Sequence, residues 1–399
     1  MKMKVCYVTH LPNLTGANQS LLDILSKWEH QKVEAMVLLG KHGPLEEELK
    51  QLGIPYKVIP YSSEIKDQKS SIKNLIKQIK CLFAKERIKR FFIEEKFDLI
   101  HNNTLLSGIG MEAAQQAGIP CICHMRELIV PEHNVELINP KKQFGRLRKA
   151  EKAIAISECV KNRFISEVAE NKIIVLSDGI NISKYEMPTK KVFGELHNDG
   201  TGVVNFMLAG RISPGKGQLE AIKAIEIVKK YVEKEKIIGV KEINLYIVGS
   251  IGDKCYNEKI REYIKNKNIQ GIHFIEFCSD LSQLRGKCDI GLTCSKSEAL
   301  GRVTIENMLS KLLVIGANGD GTSEILSEER GLLYEVGDEK DLAEKIIFAL
   351  KNREKLGYMI ENAYNYAKEK FDGETYNTKL YKIYREVIDE NYKERRKDI

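Results

Sequence analysis

Short apolar runs alternate with helical stretches along most of this chain, and the alternation limits the folds that it can adopt. In the first half, the predicted strands cover residues 5–9, 33–39, 56–59, 98–101, 120–124, 153–157 and 173–176. Helical patterns separate most of these strands, so the strands pair in parallel and both faces of the sheet need helices. The sequence therefore predicts an α/β protein with doubly wound parallel sheets.

The alternation restarts after an irregular segment rich in Gly, Pro and polar residues, which is typical of a domain boundary. The later strands are predicted at residues 203–209, 243–248, 272–275, 289–293 and 312–315, and three closing helices at 339–350, 353–370 and 374–394. A chain of 399 residues also exceeds one ordinary core. We predict a Rossmann-like domain over residues 1–185, a linker over 186–202, a second Rossmann-like domain over 203–371 that faces the first across a cleft, and a helix over 372–399 that packs back toward the first domain.

Composition limits the setting in which the chain works. Hydrophobic residues make up 43% and charged residues 30%, as in globular proteins, and no apolar run reaches the roughly 18 residues of a membrane span. The first residues resemble a buried strand rather than a cleaved signal, which predicts a cytoplasmic location. The nine cysteines are scattered, so we expect buried free thiols rather than disulfides or a metal site.

A basic segment over residues 66–90 has nine basic residues against Asp67 and Glu86. An apolar stripe at helical spacing runs through it, formed by Ile72, Leu75, Ile76, Ile79, Leu82 and Phe83. One interpretation is a helix with a solvated basic face. The other is contact with anionic lipid head groups or a lipid-linked substrate, at the inner face of the membrane. Nucleic acid is not an expected partner, because no reader motif accompanies the charge.

Four loops of the second domain lead from a predicted strand into a helical stretch, where parallel sheets bind ligands. The first, residues 210–217, contains Arg211 and Lys216 within a glycine-rich turn, and these cations could neutralise a diphosphate without metal. The second, residues 249–253, and the fourth, residues 316–324, are polar and glycine-rich. Each loop alone has the composition of an ordinary turn, but four in register are hard to explain by packing.

The third loop contains two glutamates, Glu298 and Glu306, on either side of Gly301. The pattern turns helical after Gly301, so backbone N–H groups at the helix start could bind an anion. Each carboxylate then lies near one end of a bound ligand and suits neutral sugar hydroxyls. The alternative is an acid–base couple of the kind that hydrolases use.

The order of these motifs resembles one family. Gly-Arg-x4-Lys-Gly begins at residue 210, Ser-Glu-Ala-Leu-Gly-Arg-Val-Thr-Ile-Glu at 297, and Gly-Asp-Gly-Thr-Ser-Glu at 319. The first half adds Leu-Thr-Gly-Ala-Asn from residue 14 and Cys-His-Met-Arg-Glu from 123. This set resembles the retaining family-4, group 1 glycosyltransferases of the GT-B fold, whose signature includes the Glu-x7-Glu spacing.

The resemblance implies roles for residues of the second domain. Arg211 and Lys216 would bind the diphosphate of a nucleotide-sugar donor, Glu298 the hydroxyls of its sugar, and Glu306 the ribose hydroxyls. Backbone groups would complete the donor site, those of Leu300 and Gly301 at the sugar and those of Arg302 and Val303 at the distal phosphate.

The resemblance also implies roles in the first domain, where the acceptor would bind. Gly16 would let the first loop close on the phosphate, and His124 would lie near the sugar. His124 ends an apolar strand, so a hydrogen-bonded core histidine is the alternative. Asp178 stands where the family usually has Asn.

The expected activity is transfer of a hexose from a nucleotide sugar to a glycan or lipid-linked acceptor, in cell-surface polysaccharide synthesis. The resemblance implies Glu298, His124, Arg211 and Lys216 as catalytic residues. No Asp-x-Asp motif occurs in the chain, so we expect neither a metal nor another cofactor. The alternatives are a nucleotide-sugar epimerase or phosphorylase on the same architecture, or a non-catalytic nucleotide-sugar-binding subunit.

Overall fold

The computed structural model describes residues 2–28, 32–129, 136–185, 202–276, 278 and 280–397. The chain divides into two compact units, one formed by Met1–Asn181 with Phe371–Ile399 and the other by Ile182–Lys370. The division thus falls after Asn181 instead of residue 185, and Phe371 belongs to the first unit instead of the second. The predicted linker lies outside the described residues, apart from Gly202.

The first unit has a seven-stranded parallel sheet in the order β3-β2-β1-β4-β5-β6-β7. Its strands are β1 (Met3–Val8), β2 (Val33–Leu39), β3 (Tyr56–Val58), β4 (Leu99–Asn102), β5 (Cys121–Met125), β6 (Lys152–Ala155) and β7 (Ile173–Val175). The strand order reverses between β1 and β4, and ligands of open α/β sheets bind at such a point. The predicted doubly wound sheet is confirmed.

Helices connect these strands, as parallel pairing requires. They are α1 (Gly16–Ser26), α2 (Leu45–Gln51), α3 (Ser71–Glu95), α4 (Ile109–Ala117), α5 (Pro140–Lys149) and α6 (Glu158–Phe164). The Ser70 side chain caps α3 by accepting a hydrogen bond from the Lys73 backbone N–H at 3.2 Å.

Helix α3 contains the predicted apolar stripe, which faces outward. All six stripe residues are exposed, from Ile79 at 44% to Ile72 and Phe83 at 73%. The helix packs on the unit through a different set, namely Cys81, Ala84, Ile88, Phe91 and Phe92. The stripe is therefore not the packing face of this helix.

The second unit has a six-stranded parallel sheet in the order β10-β9-β8-β11-β12-β13. Its strands are β8 (Val203–Ala209), β9 (Glu242–Val248), β10 (Ile272–Ile275), β11 (Ile290–Thr293), β12 (Leu313–Ala317) and β13 (Leu332–Tyr334). The order reverses between β8 and β11. Strand β13 was not predicted.

The helices of the second unit lie between these strands and after them. They are α7 (Gln218–Glu235), α8 (Lys254–Lys267), α9 (Ser282–Lys287), α10 (Arg302–Leu309), α11 (Asp320–Leu326), α12 (Glu339–Asn352) and α13 (Gly357–Lys370). The helix predicted over 353–370 is divided, since a 3-10 turn over Arg353–Lys355 precedes α13.

The last helix, α14 (Gly373–Lys397), completes the core of the first unit. Its buried side chains Tyr376, Leu380 and Tyr384 belong to the same apolar cluster as Tyr7 and Leu21. No helix within the described ranges is long and apolar enough to cross a bilayer.

Candidate active site

The candidate site lies at the carboxyl ends of β9, β8, β11 and β12, which are consecutive in the second sheet. The four glycine-containing loops follow these strands, and backbone hydrogen bonds join each loop to another. The Ile212 N–H donates to the Ser250 carbonyl at 2.9 Å, and the Lys296 N–H donates to the Gly215 carbonyl at 3.0 Å. The Gly321 N–H donates to the Glu298 carbonyl at 2.9 Å. The four predicted loops therefore form one continuous surface.

Gly217 fixes the distance between the first and third loops. Its φ is +68°, and a Cβ atom at this position would lie 2.2 Å from the Cys294 carbonyl oxygen. A side chain would therefore clash with backbone and strain the turn. Glycine lets α7 begin directly against the end of β11, which brings Lys216 close to the third loop.

Lys216 and Glu298 form an ion pair between the first and third loops. The Lys216 Nζ donates a hydrogen bond to Glu298 Oε1, and both side chains remain partly exposed. The structure thus brings together a cation and a carboxylate that lie far apart in the sequence. A ligand at this point would meet both charges, as the predicted phosphate and sugar contacts require.

Arg211 lies against the second loop. A guanidinium nitrogen donates to the Gly252 carbonyl oxygen at 3.3 Å, and a Cβ at Gly252 would lie 2.2 Å from Arg211 Nε. The absence of a side chain at Gly252 therefore makes room for the arginine. The second loop serves here as a support for Arg211.

Glu306 lies in α10 and contacts two arginines. Arg285 donates a hydrogen bond to Glu306 Oε2 at 2.5 Å, and Arg302 Nε lies 3.8 Å from Oε1. The Arg285 side chain is almost fully buried, and its guanidinium carbon lies 5.2 Å from the centre of the Tyr185 ring. Arg285 thus fixes the carboxylate that was predicted to bind ribose.

The sequence analysis missed Arg285. It lies in α9, a helix of six residues that was also not predicted. The available signal was an arginine in the short segment before strand β11, but its contact with Glu306 depends on tertiary packing.

Helix α10 begins at the centre of the site. Gly301 precedes it with φ +85°, and among the described residues no side chain caps its first turn. The first backbone N–H groups, which include those of Arg302 and Val303, carry the positive end of the helix dipole. Leu300 is buried beside them, so its contribution to a ligand would come from the backbone.

In the first unit, Gly16 is the first residue of α1 and follows β1 at the point where the strand order reverses. No atom lies within 4 Å of a Cβ built at this position. Packing within the first unit therefore does not require glycine at this position.

The structure buries His124 completely, at the end of β5. Its Nδ1 lies 3.2 Å from a guanidinium nitrogen of Arg126 and 3.3 Å from His101 Nε2. Burial and the nearby Arg126 charge lower the pKa of His124 well below its ordinary value, so the ring is neutral. Its place near a sugar stays a prediction, since within this unit it is a core histidine.

Asp178 pairs with Arg126, the buried arginine beside His124. Arg126 donates to Asp178 Oδ1, and the Ser20 hydroxyl donates to Oδ2 at 2.6 Å. A neutral Asn could not compensate the charge of an arginine that is only 6% exposed. Aspartate at position 178, where the family usually has Asn, therefore compensates the charge of Arg126.

Glu127 is a second residue that sequence analysis did not single out. It follows β5 and accepts hydrogen bonds from the Thr104 hydroxyl and from the Leu105 N–H at 3.3 Å. Burial raises the pKa of this carboxyl to about 7. It lies where β4 and β5 end, close to the reversal of strand order.

Cysteines and potential metal ligands show no further site. All nine cysteines are free, and six of them are buried. In the part of the chain that the structure describes, no group of three or more His, Cys, Asp or Glu side chains could hold a metal ion.

Two family models match the chain. "Glycosyl transferases group 1" matches residues 195–366, and "Glycosyltransferase Family 4" matches residues 14–184. The two matches together extend over most of both units, and the first includes all four loops of the candidate site.

Among curated proteins, an uncharacterised glycosyltransferase of Methanocaldococcus jannaschii is 28% identical over 247 residues, or 60% of this chain and 61% of that protein. The capsular polysaccharide biosynthesis glycosyltransferase CapM of Staphylococcus aureus is 31% identical over 207 residues, or 48% of this chain and 50% of that protein. The chain thus spans only 50% to 61% of the length of these relatives.

Among solved structures, Alr3699/HepE of Anabaena, in complex with UDP-glucose, gives a TM-score of 0.76 at 23% identity. The match covers 96% of this chain and 99% of that one. This likeness and the two parallel sheets confirm the predicted GT-B class of fold.

Proposed function

Because the chain belongs to the family-4, group 1 glycosyltransferases, we propose that it moves a sugar from a nucleotide-sugar donor to a glycan or lipid-linked acceptor. The observation that carries this proposal is the pair of cation–carboxylate contacts in the second unit. Lys216 contacts Glu298 before α10, and Arg285 contacts Glu306 within it. A donor with a charged diphosphate between two sets of neutral hydroxyls suits this arrangement.

The main contribution to rate would come from charge at the diphosphate. When the bond between sugar C1 and the phosphate oxygen breaks, the leaving diphosphate gains negative charge, and preorganised cations stabilise it. Arg211, Lys216 and the first turn of α10 would supply that stabilisation. Because these groups belong to the protein, the proposed reaction needs neither a metal nor another cofactor.

The two glutamates would position the donor. Glu298 would accept hydrogen bonds from hydroxyls of the sugar, and Glu306 from those of the ribose. Lys216 already contacts Glu298, so one ion pair would connect the phosphate end of the donor to its sugar. Hydrolase-like acid–base work suits Glu306 less well, because Arg285 keeps its carboxylate engaged.

We propose that transfer retains the configuration at C1. The acceptor oxygen bonds to C1 on the face from which the phosphate departs, and the acceptor proton passes to the leaving phosphate oxygen. Glu298 then acts by positioning and never bonds to the sugar. On the acceptor side, Gly16 would let the first loop approach the phosphate, and His124 would contribute near the sugar.

The acceptor is proposed to be a growing cell-surface polysaccharide or its lipid-linked precursor, at the inner face of an anionic membrane. The relative CapM is named for capsular polysaccharide biosynthesis, and the basic segment 66–90 lies mostly in exposed parts of α3. UDP-glucose, which the Anabaena protein binds, is a first donor to test.

The test is nucleotide release from a panel of UDP-, GDP- and ADP-sugars, with and without a glycan or lipid-linked acceptor and with added EDTA. Release that needs the acceptor and persists in EDTA would support metal-independent transfer. Conversion of the sugar without release would indicate an epimerase, and binding of nucleotide sugars without turnover would indicate a binding subunit. Loss of activity in EDTA would contradict the metal-free scheme.

A further inference from the structure

Helix α3 has two apolar faces, and within the described residues only one of them packs on the first unit. The packing face lies in the second half of the helix and includes Ile88 and Phe92, both fully buried. The outward face lies in the first half and consists of Ile72, Leu75, Ile76, Ile79, Leu82 and Phe83. Clusters of exposed large apolar side chains on one helix face mark interaction sites, so we expect this face to contact a binding partner.

Basic side chains flank the outward face near its C-terminal end, where Lys85 also pairs with Glu112 at 3.7 Å. At 100° per residue, Lys80 and Arg87 fall on one side of it and Lys85 and Lys89 on the other. The apolar face ends at Glu86, where the first acidic residue of the helix occurs. A wide apolar strip between two basic borders is the pattern of a helix that lies in the surface of an anionic bilayer.

A groove of about 270 Å³ beside α3 extends the apolar surface. Leu75, Ile79 and Leu82 contribute its apolar wall, and Lys142 from α5 also lines it. Lys142 lies 3.2 Å from Glu112. Glu64, Glu112 and Arg146 also line the groove, so it has an apolar part and a part of mixed charge.

We propose that the outward face of α3 inserts into the head-group region of an anionic lipid bilayer. Charge favours a bilayer over a second copy of the chain, because a symmetric contact through this face would bring the basic borders of two copies together. The inference deepens the proposed function, on which it rests only for the lipid-linked acceptor. Insertion of Ile72, Leu75 and Phe83 would keep the first unit at the surface where such an acceptor lies.

The first experiment is co-sedimentation of the full chain with vesicles of phosphatidylcholine alone or with added phosphatidylglycerol. We expect binding to the anionic vesicles only. The triple variant Leu75→Gln, Ile79→Gln, Phe83→Gln should reduce binding about tenfold or more, because insertion depends on buried apolar area. The matched control is Ile238→Gln with Phe348→Gln, two exposed apolar residues of the second unit, which should leave binding unchanged.

The second experiment separates insertion from simple charge attraction. Lys80→Glu with Arg87→Glu should weaken binding to the anionic vesicles. Binding of the wild type should also fall as salt is added, because salt screens the surface potential of the vesicles. Lys259→Glu with Lys265→Glu, which changes the same charge on exposed positions of α8, is the control. Melting temperatures of all variants should match the wild type, because every substituted side chain is exposed.

Two results would overturn the proposal. One is equal binding of the triple variant and the wild type. The other is a wild type that sediments as a dimer and does not bind vesicles, with the triple variant a monomer, since a second copy would then cover the face. Vesicle binding uses neither donor nor acceptor, so these results are independent of nucleotide release.

Discussion

Arg285 donates a hydrogen bond to Glu306 at 2.5 Å from an almost fully buried position. This contact orients a carboxylate of α10 at the surface formed by the four loops. The structure assigns Arg285 a positioning role that sequence motifs alone do not reveal.

Arg285→Ala should weaken binding of the donor nucleotide about tenfold or more, because Glu306 loses the partner that orients it. Titration calorimetry with nucleoside diphosphates measures the effect. Arg353→Ala is the control, since Arg353 is another buried arginine of this unit and donates to the Leu350 and Ile238 carbonyls, outside the four loops. Both variants should lose stability, but only Arg285→Ala should lose affinity. An equal loss of affinity in both would refute the positioning role.

Lys216→Ala, Arg211→Ala and Glu298→Ala should each reduce turnover by about 10²-fold or more, the usual effect of removing one preorganised electrostatic contact. Steady-state rates with a saturating donor measure this. Lys223→Ala is a matched control, because Lys223 lies one turn into α7 and pairs with Glu339 at 3.2 Å. Turnover by Lys216→Ala near that of the wild type would exclude the diphosphate role.

Gly16→Val should abolish transfer and leave stability within about 0.5 kcal/mol, because the position is open and its φ is not positive. Gly217→Ala should instead lower the free energy of unfolding by more than about 1 kcal/mol, because its Cβ would clash with Cys294 and its φ would be strained. Thermal unfolding and transfer assays on both variants separate the two effects. An active Gly16→Val would show that no ligand approaches this turn.

Acidification should unfold the first unit through its buried histidines. Burial lowers the pKa of His10 from 6.5 to about 4, and those of His101 and His124 lie well below 6.5. Below pH 6.5 the unfolded chain therefore binds protons that the folded unit does not, so stability falls as pH falls. Each histidine contributes about 1.4 kcal/mol per pH unit at most. Glu127 has the opposite effect, because its pKa is raised from 4.5 to about 7 in the folded unit. Its contribution to stability therefore increases as the pH falls from about 7 to 4.5.

Fluorescence of Trp28 measures this dependence, because it is the chain's single tryptophan, lies buried in the first unit and donates to the Tyr7 hydroxyl at 2.7 Å. Urea unfolding should show a lower free energy of unfolding at pH 5 than at pH 7. His10→Gln should reduce this difference by the contribution of one histidine. A stability that rises on acidification would contradict the assignment of neutral buried rings.

Much of the fold could be predicted because its strands are apolar runs bounded by turns. Strands β2 and β8 even begin and end at the predicted residues. The short elements β13 and α9, of three and six residues, were not predicted. In α3 the spacing identified a helix with an apolar stripe, but periodicity does not say which face another element will cover.

The site shows a similar division. Parallel strands place their following loops at one edge, so the meeting of Lys216 with Glu298 was foreseeable from order alone. Burial of His124 in the core was the alternative that the sequence offered, but its contact with Arg126 was not foreseeable, because Arg126 pairs with Asp178 from a distant segment. Arg285 escaped for the same reason, since only packing brings it to Glu306.

The C-terminal helix α14 has a consequence for the order in which the chain matures. Tyr384 and Tyr7 share one core although 377 positions separate them, and the whole second unit lies between them in sequence. During synthesis the second unit is complete before α14 leaves the ribosome, so the second unit can fold before the first. Until then the apolar surface around Tyr7 and Leu21 lacks the cover that Tyr384 gives it in the folded unit.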